Sequence, residues 1–154
     1  MEYVSTSNQP KIEQTWRQTA FLLVFFALTP LVLMVIGKLA IKETFDGDLA
    51  TYQKVTKLLY GGTILLGLLV VALRRVGLAF LTRGHNAVNI LKKLQMLALL
   101  GAGLGELIGI LGFVALLITH DYQFCWRLGI VSLLVILYSF PRRWEWERAI
   151  ASVE

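Results

Sequence analysis

One acidic residue in this chain lies within an otherwise apolar segment. Glu106 is near the middle of a stretch of roughly 20 residues, the length a helix needs to cross a bilayer. A carboxylate at that depth costs on the order of 3 kcal/mol or more, so the group must face protein, find a hydrogen-bond partner or become protonated. A carboxyl that exchanges its proton suits proton or sodium transport, whereas a neutral acid suits a structural hydrogen bond. Both interpretations stay open, and Thr63 and Ser132 are candidate hydroxyl partners.

Glycines surround this glutamate at helical spacing. Gly101, Gly105 and Gly109 recur every four residues, and Gly112 follows on the same side of the helix. Small residues in this pattern leave a groove that another helix can approach closely, and such close packing drives helix association in membranes. The pattern therefore predicts a helix–helix seam along one side, with Glu106 at its border.

The remaining reactive side chains do not combine into a site. His85 and His120 are separated by a full helix, which rises about 1.5 Å per residue, so they cannot share a metal or haem iron. Cys125 is the single cysteine, which excludes an intramolecular disulfide and favours the role of a small apolar residue. Phosphate-binding, nucleophile-elbow and metal motifs are missing from the sequence. We predict no catalytic residue, no metal site and no cofactor, and a protein that is not an enzyme.

The elements that position Glu106 follow from composition. The chain has 154 residues, 56% of them hydrophobic and 16% charged, with a mean hydropathy of +0.67, which is too apolar for a soluble core of this size. We predict an all-α integral membrane protein, an antiparallel four-helix bundle with the third helix at its centre. Its predicted parts are a lead over 1–17 without a helical stripe, spans over about 18–37, 58–73, 97–119 and 124–140, and a charged, aromatic tail over 141–154.

Two local signals refine these elements. Pro30, preceded by Thr29, lacks the backbone donor that a helix interior uses and predicts a kink in the first span. Asp48 is a suitable N-cap for a helix that begins near Leu49 and enters the second span.

Basic residues set the expected orientation. Ten of the fifteen Lys and Arg residues fall on the face shared by both termini and the loop between the second and third spans, which predicts cytoplasmic termini. Arg74, Arg75, Arg142 and Arg143 are the expected topological anchors and lipid-phosphate contacts. We therefore expect the positive net charge of +5 to interact with the lipid bilayer and not with nucleic acid.

The second and third spans with their loop, a little under half of the chain, resemble rotor subunit c of ATP synthase. In that family a small-residue-rich outer helix carries a carboxylate with a glycine six residues later and then an apolar pair; Glu106, Gly112, Phe113 and Val114 match that pattern. The loop of that family contains an arginine and an asparagine, as 83–86 does here. The first and fourth spans have no counterpart in subunit c. The resemblance implies ion binding at Glu106.

The whole chain resembles a poorly characterised group of bacterial four-helix membrane proteins whose third helix is similar to the outer helix of subunit c. That resemblance implies a four-helix fold in the bacterial inner membrane. From the glycine groove we expect a homo-oligomer or a larger membrane complex as partner. We expect a non-enzymatic subunit or assembly protein that packs through the glycine groove, with Glu106 as a protonated link. Proton or sodium translocation through Glu106 is the alternative. A small multidrug-type transporter is a second alternative, although members of that family carry their glutamate in the first helix.

Overall fold

The computed structural model describes residues 9–40, 49–81 and 87–151, and nearly all of these residues are helical. The helices are α1 (Gln9–Ala40), α2 (Leu49–Leu81), α3 (Ala87–Thr119), α4 (Tyr122–Ser139) and α5 (Arg143–Ala151). The first four are long and apolar enough to cross a membrane. The predicted all-α helical bundle is therefore confirmed. Helices α1, α2 and α3 contain their predicted spans, and α4 ends at Ser139, one residue before the predicted end of the fourth span.

Helix α3 is the centre of the bundle, as expected. It packs most extensively against α4, with α1 and α2 on two further sides, and it also touches α5. Within the described residues, α1 and α2 make at most a marginal contact with each other. One long face of α3 is consequently left without a covering helix.

A two-residue connection makes α3 and α4 antiparallel neighbours. His120 takes the left-handed conformation (φ 53°), which histidine tolerates better than most residues. The Asp121 carboxylate then caps α4 by accepting a hydrogen bond from the Gln123 N–H at 2.9 Å. The same carboxylate accepts a hydrogen bond from the Tyr52 hydroxyl at 2.8 Å, which ties α2 to this turn.

The prediction that 1–17 lacks helical structure is wrong from Gln9 onward, where α1 begins. Ile12 is buried, and Thr19 and Leu23 are fully buried further along the same face. Polar residues between these positions hide their helical spacing in the sequence. Burial against other helices, and not local helix propensity, stabilises this first part of α1. Residues 1–8 lie outside the described part of the chain.

Most of the predicted tail is helical. Residues Arg143–Ala151 form α5, in which Trp146 is 2% exposed and Ile150 is fully buried. Trp144, by contrast, is 52% exposed. The buried residues of α5 join a cluster that we call the terminal core, because it lies at the end of the bundle where the described chain begins and ends: Ile12, Ile90, Leu91, Leu94, Trp146, Ala149 and Ile150.

Candidate functional site

The four predicted groove glycines all lie in a packing seam. A Cβ at Gly101 would be 2.5 Å from the Ser139 hydroxyl, and one at Gly105 would be 2.8 Å from the Ile136 side chain. At Gly112 a Cβ would meet the Leu128 Cβ at 2.7 Å and the Phe124 carbonyl oxygen at 3.2 Å. Helix α4 of the same chain therefore fills the groove. An assembly partner cannot use it, and that part of the expected function is not supported.

Helix α1 approaches the same seam at Gly109. A Cβ on Gly109 would be 3.0 Å from both the Pro30 ring and the Ser132 hydroxyl. Further along, a Cβ on Gly37 would contact Leu116 at 2.6 Å, so α1 and α3 run parallel with a constant offset. This register places Glu106 level with Ala27, within one helical turn of Pro30.

Glu106 is at the edge of the packed surface and is partly exposed. It follows Gly105, which faces α4, so its side chain is turned about 100° around the helix from the seam. Within the described residues, its carboxylate accepts no hydrogen bond and forms no ion pair. The described part of the chain thus provides no donor or cation for an ionised Glu106.

The two candidate hydroxyl partners lie at nearly the same depth as Glu106. Ser132 packs against Gly109, three residues beyond Glu106. Val70 packs near Gly101, and Thr63 lies two turns along α2 from Val70. Both hydroxyls are therefore within about one turn of Glu106 along the bundle axis. Both are buried and neither makes a hydrogen bond to a described residue. The structure does not join either of them to Glu106.

The four predicted arginine anchors divide into two kinds. Arg74 donates to the Glu145 carboxylate at 2.8 Å, with the two side chains only 12% and 14% exposed, and it lies over the Tyr138 ring. Its side chain is therefore mostly buried against protein. Arg75, Arg142 and Arg143 are exposed, so the lipid-anchor prediction stays open for them.

This ion pair and the terminal core beside it were not predicted from the sequence. Arg74 was indistinguishable from Arg75 in a basic pair, and Glu145 from the other charged residues of the tail. The spacing of Trp146, Ala149 and Ile150, three and then one residue apart, is the helical signal that could have indicated a buried face.

These features define the class of protein: a multi-pass helical membrane protein with a carboxyl group inside its span. Among the described residues, no group of three or more His, Cys, Asp or Glu side chains is arranged to hold a metal ion. Cys125 is buried and its thiol lies 3.7 Å from the Leu33 carbonyl oxygen, in keeping with a packing role. Comparison with protein-family models, curated proteins and solved structures found no match to this chain.

Proposed function

We propose that this protein is a non-enzymatic membrane subunit or assembly protein in which Glu106 is a neutral acid that forms a polar link within the hydrocarbon region. The observation that carries the proposal is the missing counter-group: no described side chain donates to an ionised Glu106 or pairs with it. An isolated carboxylate at this depth is costly, so the neutral acid is the favoured species. A neutral acid is a hydrogen-bond donor and needs an acceptor.

Pro30 leaves one carbonyl of α1 without its helical donor, and that carbonyl is a candidate acceptor for Glu106. Proline has no N–H, so the carbonyl of Phe26, four residues earlier, lacks its usual helical donor. Pro30 faces α3 at Gly109, and the parallel register puts Phe26 level with Gly105, beside Glu106. A hydrogen bond from the Glu106 acid to the Phe26 carbonyl would satisfy both groups and tie α1 to α3.

Replacement of Glu106 by glutamine and by leucine tests the link. The glutamine amide is still a donor, so E106Q should unfold in detergent within about 1 kcal/mol of wild type. Leucine cannot donate, and E106L should lower the free energy of unfolding by roughly 0.6–1.7 kcal/mol, between the average and the largest value measured for hydrogen bonds between membrane helices. Thermal or denaturant unfolding of both variants provides the measurement. Equal stability of E106L and wild type would contradict the link.

The identity of the acceptor can be tested separately with Pro30→Ala. Alanine keeps the Cβ that meets Gly109 but restores the N–H for the Phe26 carbonyl. In the Pro30→Ala background, E106L should lower the free energy of unfolding by less than it does with Pro30 present, because the Phe26 carbonyl then has a backbone donor and no longer needs the Glu106 acid. A double-mutant cycle measures this coupling. If E106L costs the same in both backgrounds, Phe26 is not the acceptor, whereas the structural role of Glu106 can still stand.

Ion translocation is the second candidate, favoured by a different observation. Glu106 is partly exposed, and the buried hydroxyls of Thr63 and Ser132, at nearly the same depth, make no hydrogen bond to a described residue. Such groups are suited to accept and pass a proton. Purified protein in liposomes, with a pH-sensitive dye and an imposed membrane potential, separates the two candidates. If Glu106 is structural, wild type should show no flux. A proton or sodium flux that E106Q abolishes would contradict the structural role and support translocation.

A further inference from the structure

The uncovered face of α3 carries a cleft. Its residues recur three or four positions apart, from Lys92 through Met96, Leu100 and Gly103 to Leu107, and they enclose about 550 Å³ that is open to the surroundings. Helices α1, α2 and α4 occupy the other sides of α3. The cleft is therefore on the surface that faces the bilayer, and its size is within the range of small-molecule sites, roughly 300–1,000 Å³.

Gly103 gives the cleft its depth. A Cβ at Gly103 would have nothing within 4 Å, unlike the four seam glycines of the same helix, which all meet α4 or α1. Packing among the described residues thus gives no reason for a glycine at this position. The missing side chain leaves a notch between the leucine and methionine side chains around it.

The length of the cleft corresponds to one leaflet. From Lys92 to Leu107 the helix rises about 22 Å at 1.5 Å per residue, whereas one leaflet contributes about 15 Å of hydrocarbon plus its headgroup layer. The cleft starts beside the terminal core and ends next to Glu106, in the middle of α3. The uncovered face of α3 continues beyond Leu107, but the cleft itself ends there, so its length corresponds to a lipid of one leaflet.

Charge indicates the type of lipid. Lys92 is exposed at the headgroup end of the cleft, and within the described residues it forms no ion pair. Basic residues at such positions bind anionic headgroups. We propose that this cleft binds an anionic phospholipid of the leaflet at the terminal core, with its headgroup at Lys92 and one acyl chain along Gly103. The proposal does not depend on the role of Glu106.

Native mass spectrometry of the full chain, titrated with phosphatidylglycerol or phosphatidylcholine of the same acyl chains, tests the site. Wild type should retain phosphatidylglycerol preferentially. K92Q should weaken that retention about fivefold, which corresponds to the roughly 1 kcal/mol expected per basic residue near a membrane surface. K93Q removes the same charge from the next position, about 100° around the helix, and should have little effect.

A second pair of variants tests the acyl-chain part of the cleft. Gly103→Phe should fill the notch and lower phosphatidylglycerol retention, whereas Gly67→Phe, at another glycine with open space around it, should not. Equal loss in K92Q and K93Q, or equal retention of the two lipids by wild type, would overturn the proposal. It would also be overturned if wild type were a stable dimer that excludes lipid and that Gly103→Phe dissociates, because the cleft would then bind a second copy.

Discussion

The glycines of α3 serve two purposes, distinguished by what a side chain at each would meet. Gly112 is the most constrained, because a Cβ there would press on the backbone of α4 as well as on Leu128. A side-chain tip can rotate away from such a contact, but backbone cannot. Gly103 faces open space. The same residue type therefore allows close helix packing at one position and leaves a surface notch at the other.

We therefore expect replacement by alanine to have opposite effects on stability at Gly112 and Gly103. Gly112→Ala should destabilise the protein by roughly 1–3 kcal/mol, the usual cost of overpacking. Gly103→Ala should be neutral or stabilising by up to about 1 kcal/mol, since alanine favours a helix more than glycine does. Unfolding of the two variants in detergent is the measurement. If Gly112→Ala is no less stable than Gly103→Ala, the α3–α4 seam is looser than described.

Among the elements, α5 changes the interpretation of the chain most. It is too short to be stable alone, so its helix depends on the burial of Trp146 and Ile150 in the terminal core. Two polar contacts hold the same region: the Arg74–Glu145 ion pair, and a hydrogen bond from the Trp16 indole N–H to the Pro141 carbonyl at 2.9 Å. Together they link α1, α2 and the segment around α5.

The Arg74–Glu145 pair predicts a large effect of a small change. E145Q keeps the shape of the side chain but leaves the buried Arg74 charge without its partner. It should therefore lower the free energy of unfolding by roughly 3 kcal/mol or more. E147Q is the matched control: Glu147 pairs with Arg143 at 2.8 Å, but both side chains are well exposed, so its loss should be below about 1 kcal/mol. Denaturant unfolding compares the variants. Equal losses would show that solvent reaches the Arg74 pair.

At the scale of the whole molecule, α3 contacts every other helix, whereas α2 is the least buried of the four long helices. Because the four long helices alternate in direction, α1 begins and α4 ends at the same end of the bundle. The terminal core confirms this arrangement, since it joins the first residues of α1 to α5. Which side of the membrane this end faces is a prediction from the distribution of basic residues.

Cysteine labelling tests that orientation. Cys125 is the single cysteine and is buried, so a Cys125→Ala background allows one cysteine to be introduced at a time. Lys54→Cys and Arg143→Cys place exposed thiols at opposite ends of the bundle. With both termini in the cytoplasm, an impermeant maleimide should label position 54 in intact cells and position 143 only after permeabilisation. The reverse pattern would mean the opposite orientation, and labelling of both from one side would contradict four spans.

The sequence alone determined the number of long helices, their approximate positions and the place of Glu106, because about 20 consecutive apolar residues have one stable arrangement in a bilayer. It also indicated that Gly101, Gly105 and Gly109 form one close-packing face, which follows from helical periodicity.

Only the tertiary structure decided which groups meet. It assigned α4 to the glycine seam, placed Pro30 beside Gly109 and joined Arg74 to Glu145. These contacts bring together residues far apart in the chain, and no local pattern specifies such a pairing. The helical structure of 9–17 and 143–151 was hidden for the same reason: both segments are polar in composition, and burial of a few residues from each in a shared core makes them helical.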